Sequence, residues 1–435
     1  MKPFLKIVFT AVLVAALLWL PSLAPAETET VSLEQLTAEL LRNNPDIQGE
    51  ESRYSAARAR PSQMRTLPDP VVSFVSRNGS GNPAPFTELG KDPLSSVGIM
   101  WEQEIPFPGK LRLAGEMAQQ EADSAKADID RVKWTVLSNL KEAYYEYFQS
   151  DKSIEILIDS LELLKHFEEI SRARYSVGEG IQQDVLRAQV EISILEQRIT
   201  SMRQEKATAA AEINRLLNRP VDGPLPNPAE VTPTASVSAI ETLQAELAAL
   251  APQIRSGEAM VAREQRGLDL AKKQYRPDFM TSVEYGNSPN FPDMWEIEFG
   301  LRIPIFYKSK QAYGVREATH NLTRAQKELR SMQQEIAFSI KNQYLQIQAS
   351  ERLLKLYSQA VLPQLNLALE SSLATYQVGK SDFLTTLSNF MTLLEYRMNY
   401  FEELARHETA ITRLERAVGR PVVMNVQTTG GTHND

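Results

Sequence analysis

The stretch between Pro108 and Pro220 contains no proline and few glycines, and this constrains the fold more than any other feature of the sequence. Proline clashes inside a helix and removes a backbone donor, and glycine weakens a helix, so their scarcity favours long helices. We predict one helix from about residue 111 to 174 and another from about 181 to 217, joined by a glycine-containing turn at 176–180. At about 1.5 Å per residue, the first helix would reach roughly 95 Å.

Apolar residues recur along these stretches at alternating steps of three and four. The second predicted helix carries the series Val185, Ala188, Ile192, Leu195, Ile199 and Met202. A later stretch carries the series Leu384, Leu387, Met391, Leu394, Met398 and Phe401. The first predicted helix continues the pattern at Leu137, Leu140, Tyr144 and Tyr147. Each helix is therefore expected to pack lengthwise against its neighbours, although a spectrin-like coiled-coil scaffold would explain the helices alone equally well.

Three sequence landmarks recur in the same order about 200 residues apart, which indicates a duplicated unit far longer than a solenoid repeat. The pairs are Ile-Pro-Phe at 105–107 with Ile-Pro-Ile at 303–305, Tyr-Ser-Val-Gly at 175–178 with Tyr-Gln-Val-Gly at 376–379, and Asn-Arg-Pro-Val at 218–221 with Gly-Arg-Pro-Val at 419–422. We divide the chain into a first repeat at 27–219, an extended proline-rich linker at 220–239, a second repeat at 240–421 and a disordered tail at 422–435. Each repeat is expected to hold an opening helix, a β-hairpin near 70–105 or 279–303, and a helical hairpin at 111–217 or 309–418.

Short segments in each repeat alternate between apolar and polar residues, as strands with two unlike faces do. The apolar positions are Val97, Ile99, Trp101 and Ile105 in the first repeat, and Phe279, Thr281, Val283, Tyr285, Trp295, Ile297, Phe299, Leu301 and Ile303 in the second. Residues 71–77 form a poorer partner strand. Charged residues on the opposite face are our candidates for lining a water-filled lumen: Glu102, Glu104, Glu296, Glu298 and Arg302.

The predicted strands are about 9–11 residues long, enough to cross a bilayer when tilted. An ordinary soluble sheet with one buried face would show the same alternation. Four strands cannot close a membrane barrel alone, because such barrels need at least about eight and an open edge leaves backbone groups unpaired in lipid. Two chains would form an eight-stranded barrel filled by its own side chains, so a conducting barrel favours three chains and twelve strands.

Residues 1–26 have the features of a secretory signal peptide, with Lys2 and Lys6, an apolar run at 7–20 and Ala-Pro-Ala at 24–26. The apolar run is shorter than the roughly 20 residues that a spanning helix needs. A net charge of −8 argues against nucleic-acid binding, and the absence of cysteine excludes disulfides and thiolate metal sites.

The sequence contains no recognisable catalytic or cofactor-binding pattern. The four histidines are widely separated, at His166, His320, His407 and His433. They form no spaced ligand pair, and there is no phosphate-binding glycine loop or nucleophile elbow. The sequence therefore predicts no metal site, no cofactor and no enzymatic activity.

Over nearly its whole mature length, the chain resembles the TolC-like outer-membrane efflux protein family. The family's opening helix is similar to the segment with Leu33, Leu36, Ala38, Leu41, Asn44, Pro45 and Ile47. Residues 103–110 (Gln-Glu-Ile-Pro-Phe-Pro-Gly-Lys) resemble the strand-to-helix junction of the heavy-metal-efflux branch. The Leu-Asn-Arg-Pro sequence at 217–220 resembles the end of the family's first repeat, and both Val-Gly pairs resemble its hairpin tips.

The resemblance implies a homotrimer, with a twelve-stranded β-barrel in the outer membrane of a Gram-negative cell and a twelve-helix α-barrel crossing the periplasm. It implies contact with a periplasmic adaptor (membrane fusion) protein, an inner-membrane pump and outer-membrane lipid, and no nucleic acid. The adaptor would meet the hairpin tips at Val177, Gly178, Val378 and Gly379. Some family members narrow the periplasmic mouth with aspartates after the second tip, where this chain has Thr385 and Ser388, with Asp382 three positions earlier and Asp184 in the first repeat.

These features predict the passive exit duct of a tripartite efflux system, with heavy-metal cations as one candidate substrate. The exit duct of a type I protein secretion system would use the same fold and stays open as an alternative. A periplasmic coiled-coil scaffold is the alternative of a different class, and it would not enter the outer membrane.

Overall fold

We describe the protein from a computed structural model, in which residues 30–79, 86, 88–234, 237, 239–242 and 251–423 are described. The predicted signal peptide at 1–26 and residues 424–435 of the predicted tail lie outside the described residues. The chain is mostly helical with one small sheet, and this confirms the coarse fold class predicted from the sequence. None of the described helices is both long enough and apolar enough to span a membrane.

Two helices open the first repeat, where the sequence predicts one. Helix α1 covers Leu33–Asn43 and helix α2 covers Pro45–Arg65. Pro45 suits the first position of a helix, because the backbone donor it lacks would be unpaired there anyway. The Asn44 side chain caps α2 by accepting hydrogen bonds from the backbone of the next turn, and its amide donates to the carbonyl of Leu216 at 2.8 Å.

The helical hairpin of the first repeat consists of α3 (Lys110–Ser176) and α4 (Gln182–Leu216). With 67 residues, α3 extends for about 100 Å. Gly178 turns the chain with a φ of 79°, a backbone conformation that suits glycine. The backbone N–H groups of Glu179 and Gly180 donate to the carbonyl of Arg174 and so close the end of α3.

The second repeat follows the same plan, with an interruption in its long helix. Its elements are α5 (Pro252–Lys273), α6 (Gln311–Leu356), a π-helical turn (Tyr357–Val361), α7 (Leu362–Gln377) and α8 (Phe383–Val418). Pro363 lies in the first turn of α7 and cannot donate a helical hydrogen bond. The π-helical turn directly before Pro363 accommodates the missing helical hydrogen bond, as π-bulges do near helix kinks.

The helices of the two repeats pack lengthwise on each other through buried apolar side chains. The rings of Phe167 on α3 and Phe390 on α8 meet edge to face, with centroids 5.8 Å apart. Of the predicted seam on α8, Leu387 and Leu394 are buried, but Leu384 is exposed, so its place in the seam is a wrong prediction. Phe383 starts the buried side of α8 instead, and helical geometry therefore turns the neighbouring position outwards.

Four antiparallel strands form one sheet in the order β1-β2-β3-β4. Their bounds are Val71–Arg77, Ser96–Ile105, Asp278–Asn287 and Met294–Arg302. Strands β2 and β3 come from different repeats and pair from Val97 opposite Asn287 to Ile105 opposite Phe279. Backbone pairing between the repeats therefore joins two hairpins into one continuous surface.

The described part of the linker between the repeats is held by contacts to Val31 and to helix α8. Val31 pairs with Pro228 in an isolated parallel bridge. The backbone N–H and the hydroxyl of Thr234 both donate to the buried carboxylate of Glu408, at 2.7 and 2.9 Å. Val422 is buried in the helical core, so packed structure extends beyond residue 421, where the sequence places the start of a disordered tail.

The close approach of Gly98 to the backbone of the neighbouring strand gives a testable prediction. A Cβ atom at Gly98 would lie 1.7 Å from the carbonyl oxygen of Tyr285, so Gly98→Ala should force β2 and β3 apart and destabilise the fold by about 2 kcal/mol or more. Gly300 lies on the same face of the sheet, and a Cβ atom there would come no closer than 3.5 Å to any neighbour. Thermal unfolding of the detergent-solubilised protein should show a large loss for Gly98→Ala and almost none for Gly300→Ala. Equal midpoints for the two variants would contradict this strand pairing.

Candidate functional site

The sheet has one apolar face that the described residues leave largely exposed. Pairing places Tyr285 beside Trp295, Val283 beside Ile297 and Thr281 beside Phe299. Exposed fractions reach 83% for Phe299, 70% for Trp295 and 63% for Ile297. An exposed apolar surface of this kind marks contact with a membrane or with another protein.

The opposite face of the sheet, which we call the polar face, holds all five lumen candidates. By register, Glu102 lies beside Ser282 and Ser282 beside Glu298. Arg302 donates to Glu104 at 2.5 Å across the sheet. The strand pattern therefore brings Glu102, Glu104, Glu296, Glu298 and Arg302 together on one surface.

Sequence reasoning missed a second ion-pair cluster on the polar face. Arg77 lies between Glu284 and Glu296, with nitrogen–oxygen distances of 2.8 and 2.5 Å. Glu284 and Glu296 face each other directly across the β3–β4 pair, so one guanidinium bridges two neighbouring carboxylates. No local pattern predicts this cluster, because Val71 and Val75 lie on the same face of β1 as Arg77 and break the alternation.

The sheet presents two open edges. Strand β1 pairs only with β2, and β4 pairs only with β3, throughout the part of the chain that the structure describes. The outer backbone N–H and C=O groups of both edge strands are therefore open to pairing with another chain.

The tips of the two helical hairpins lie together at the other end of the long helices. Val177 and Val378 are 69% and 65% exposed. Gly178 and Gly379 both have positive φ, and a Cβ atom at Gly178 would meet no other atom within 4 Å. The four predicted tip residues thus present two matching, exposed Val-Gly turns.

Arg174 joins the two tips and was not among the residues predicted from the sequence. Its guanidinium donates to the carbonyl of Tyr376 at 2.6 Å and lies over the tyrosine ring, 5.0 Å from the centroid. The hydroxyls of Ser171 and Tyr376 are 2.9 Å apart in a buried contact. One residue from each repeat thus holds the tips together. The two residues are far apart in the sequence, so no local sequence pattern predicts their contact.

Of the four candidate mouth residues, two line a cavity and two lie on α8. Asp184 and Asp382 line a cavity of about 290 Å³ together with Arg174. Asp382 also caps α8, where its carboxylate accepts hydrogen bonds from the backbone N–H and the hydroxyl of Thr385. Ser388 lies one turn further along α8 and is exposed. The structure therefore gives Asp382 and Thr385 a helix-capping role.

The two aspartates of this cavity differ in their titration. Burial raises the pKa of Asp184, and the charge of Asp382 raises it further, while Arg174 lowers it. Hydrogen bonding from the Thr385 hydroxyl instead lowers the pKa of Asp382. As pH falls, Asp184 therefore takes up a proton before Asp382 does, and the repulsion between the two carboxylates decreases.

The sequence matches the family model described as "Outer membrane efflux protein" over residues 36–219 and 243–420. The chain belongs to the outer membrane efflux protein family. The family places the protein in the outer membrane with its helices extending into the periplasm.

Three curated relatives of this efflux protein have names that refer to different compounds. It is 22% identical over 64% of its length to the pyoverdine export outer membrane protein OpmQ of Pseudomonas putida. It is 23% identical over 60% of its length to the fusaric acid resistance protein FusA of Burkholderia cepacia. It is 20% identical over 73% of its length to the cobalt-zinc-cadmium resistance protein CzcC of Cupriavidus metallidurans. The matches span 62%, 53% and 75% of these relatives, so the chain covers less than two thirds of the first two.

Solved structures of channels share the fold of this efflux protein. The outer-membrane channel OprN has a TM-score of 0.75 at 19% identity, with 89% of each chain covered. CusC, for which transmembrane channel formation is described, has a TM-score of 0.72 at 18% identity and covers 89% of this chain and 92% of its own. The outer membrane protein VceC of Vibrio cholerae has a TM-score of 0.75 at 17% identity, over 89% of this chain and 96% of its own.

Proposed function

We propose that three copies of this chain form the exit duct of a tripartite efflux system, a passive channel through the outer membrane. The observation that carries the proposal is the four-stranded sheet with one exposed apolar face, one charged face and two unpaired edges. Lipid can cover the apolar face and water can cover the charged face. Neither can satisfy the backbone groups of an edge strand at membrane depth, so another strand must do so.

Closure of the sheet sets the number of copies. Each unpaired backbone group in lipid costs several kcal/mol, so β1 of one copy is expected to pair with β4 of the next. Two copies would give eight strands, whose interior is filled by side chains. Three copies give twelve strands and space for a water-filled pore lined by the polar face.

The long helices extend the same pore away from the membrane. The helical hairpins of both repeats pack side by side within one chain, through Phe167 and Phe390 among others. Each chain contributes four hairpin arms. Three copies arranged around the axis of the barrel would therefore surround it with twelve helical segments. At about 100 Å, α3 is long enough to cover most of a periplasmic space.

The exposed tips provide the docking surface for a periplasmic adaptor. Val177 and Val378 are apolar and exposed on the turns, and the space around Gly178 is open. A partner can therefore approach the backbone of the first tip closely. An inner-membrane pump would supply energy through the adaptor, because the duct is passive.

We expect the pump, and not the duct, to determine which class of substrate is exported. The relatives named for pyoverdine, fusaric acid and metal cations share similar levels of identity with this chain. Heavy-metal efflux stays one of the proposed roles, supported by the junction at 103–110 and by the similarity to the cobalt-zinc-cadmium resistance protein.

Two adjacent residues on opposite faces of β4 test the proposed membrane barrel. Phe299→Arg places a charge on the lipid side and should cost about 2–4 kcal/mol at the bilayer midplane, whereas Glu298→Arg places the same charge in the lumen. Urea titration of each variant folded into phosphatidylcholine vesicles should show the loss for Phe299→Arg alone. A wild-type midpoint for Phe299→Arg would contradict a lipid-facing position for this residue.

The first tip tests adaptor docking separately. Gly178→Trp should abolish efflux and leave the amount of oligomer in the outer membrane unchanged, because its side chain enters open space and the strain of a positive φ stays within an exposed turn. Gly178→Asn is the matched control, since asparagine tolerates positive φ and is small. Gly379 is less suitable because a Cβ atom there would lie 3.3 Å from the Arg174 guanidinium. Cell growth in the presence of the pump substrate measures efflux, and full efflux by Gly178→Trp would rule out docking at this tip.

A further inference from the structure

A cavity of about 440 Å³ lies where the sheet meets the long helices. The ends of α5 and β4 and the beginnings of α3, β3 and α6 line it. One part of the wall is cationic, with Lys110, Arg276, Arg302 and Lys310. Another part is apolar, with Ile303, Pro304, Ile305 and Phe306.

Two of the four cations are already neutralised by partners. The buried ammonium group of Lys110 contacts both carboxylate oxygens of Asp278, at 2.8 and 2.9 Å, and also donates to the carbonyl of Arg276. Arg302 is paired with Glu104. These pairs fix the shape of the cavity and leave little charge for a ligand.

The other two cations have no carboxylate partner in the part of the chain that the structure describes. Arg276 and Lys310 are both exposed. The only ring near the Arg276 guanidinium is that of Phe107, at 6.0 Å among the described residues. A cavity with two uncompensated cations and an apolar wall is complementary to an anion that carries a hydrocarbon chain.

The cavity lies at one boundary of the exposed apolar band. Leu301 at the end of β4 is exposed, and the exposed apolar surface continues through Ile303 and Ile305 to Phe306, which is 70% exposed. Helix α6 then begins at Gln311 and leads away from the sheet. This boundary is the place where hydrocarbon gives way to lipid head groups and water if the sheet spans a membrane.

We propose that this cavity binds the phosphate head group of an acidic phospholipid from the leaflet nearest the long helices. The proposal rests on the proposed function, because only an embedded sheet brings the cavity to a head-group layer. Arg276 and Lys310 contact the phosphate, and the acyl chains lie along Ile303, Ile305 and Phe306. A soluble phosphate would use the same two cations and leave the apolar wall uncovered.

A second copy of the chain is the competing occupant. Strand β4 is an open edge, and a neighbouring β1 would bring Asp69, two residues before that strand, towards the same end of the sheet. In that case Asp69 of the neighbour would neutralise Arg276 or Lys310 and no lipid would be needed. The two occupants therefore predict different effects for an Asp69→Asn variant.

Binding can be measured on the full-length oligomer in dodecyl maltoside micelles. Dioleoyl phosphatidylglycerol should bind and raise the thermal dissociation midpoint of the oligomer more than zwitterionic dioleoyl phosphatidylcholine does. Each basic residue near an anionic lipid contributes about a fivefold change in affinity, so Arg276→Gln with Lys310→Gln should weaken binding of the acidic lipid by about 25-fold. The matched control is Lys327→Gln with Arg330→Gln, which removes two exposed charges from α6 outside the cavity and should leave binding unchanged.

Four results would overturn the lipid assignment. Equal effects of the two lipids, or unchanged binding by the Arg276→Gln and Lys310→Gln variant, would remove the proposed site. The same stabilisation by inorganic phosphate alone would assign the cavity to a soluble anion. Destabilisation by Asp69→Asn without any lipid preference would assign it to the neighbouring copy. In all four cases an oligomer that enters micelles leaves the proposed duct intact, whereas a protein with no affinity for micelles contradicts the duct itself.

Discussion

The unpaired backbone groups along β1 and β4 are the constraint on which the rest of the structure depends. A four-stranded sheet with an uncovered apolar face can be stable in lipid only when both edges are paired. The chain cannot pair them itself, because its two hairpins already meet through β2 and β3. For a sheet placed in lipid, backbone hydrogen bonding would therefore require self-association, and the side chains would decide which face of the sheet meets water.

The two repeats are joined at three levels within one chain. Pairing of β2 with β3 joins them in the sheet, and the ion pair between Lys110 and Asp278 joins them at the junction. Arg174 and Tyr376 join them at the tips. Because these contacts lie along the whole length of the molecule, the two repeats form one continuous body from the sheet to the tips.

Much of the fold could be predicted because its signals are local. The absence of proline between Pro108 and Pro220 predicts the first helical hairpin to within about two residues of the bounds seen in the structure. Strict alternation predicts β4 and the residues of the polar face. The break between α1 and α2 at Asn44 also has a local signal, in the Asn44 cap and the proline that follows it. The sequence nevertheless leads us to predict one opening helix, because the segment resembles a single helix of the family.

Other features depend on tertiary contacts that a single sequence does not display. The bridge from Arg77 to Glu284 and Glu296 joins residues more than 200 positions apart, as does the contact between Arg174 and Tyr376. Leu384 continues an apolar series and yet faces outwards, because Phe383 fixes the rotation of α8. The π-helical turn before Pro363 arises from the packing of a long helix around a residue that interrupts its hydrogen bonding.

The mass of the native particle in detergent tests the central claim most directly. Edge pairing between copies predicts a particle containing three chains, measured by native mass spectrometry after the micelle is stripped away, and persistence of that particle at protein concentrations far below those of purification. A single chain that stays folded and free of detergent would contradict the account, since it would show that β1 and β4 need no partner.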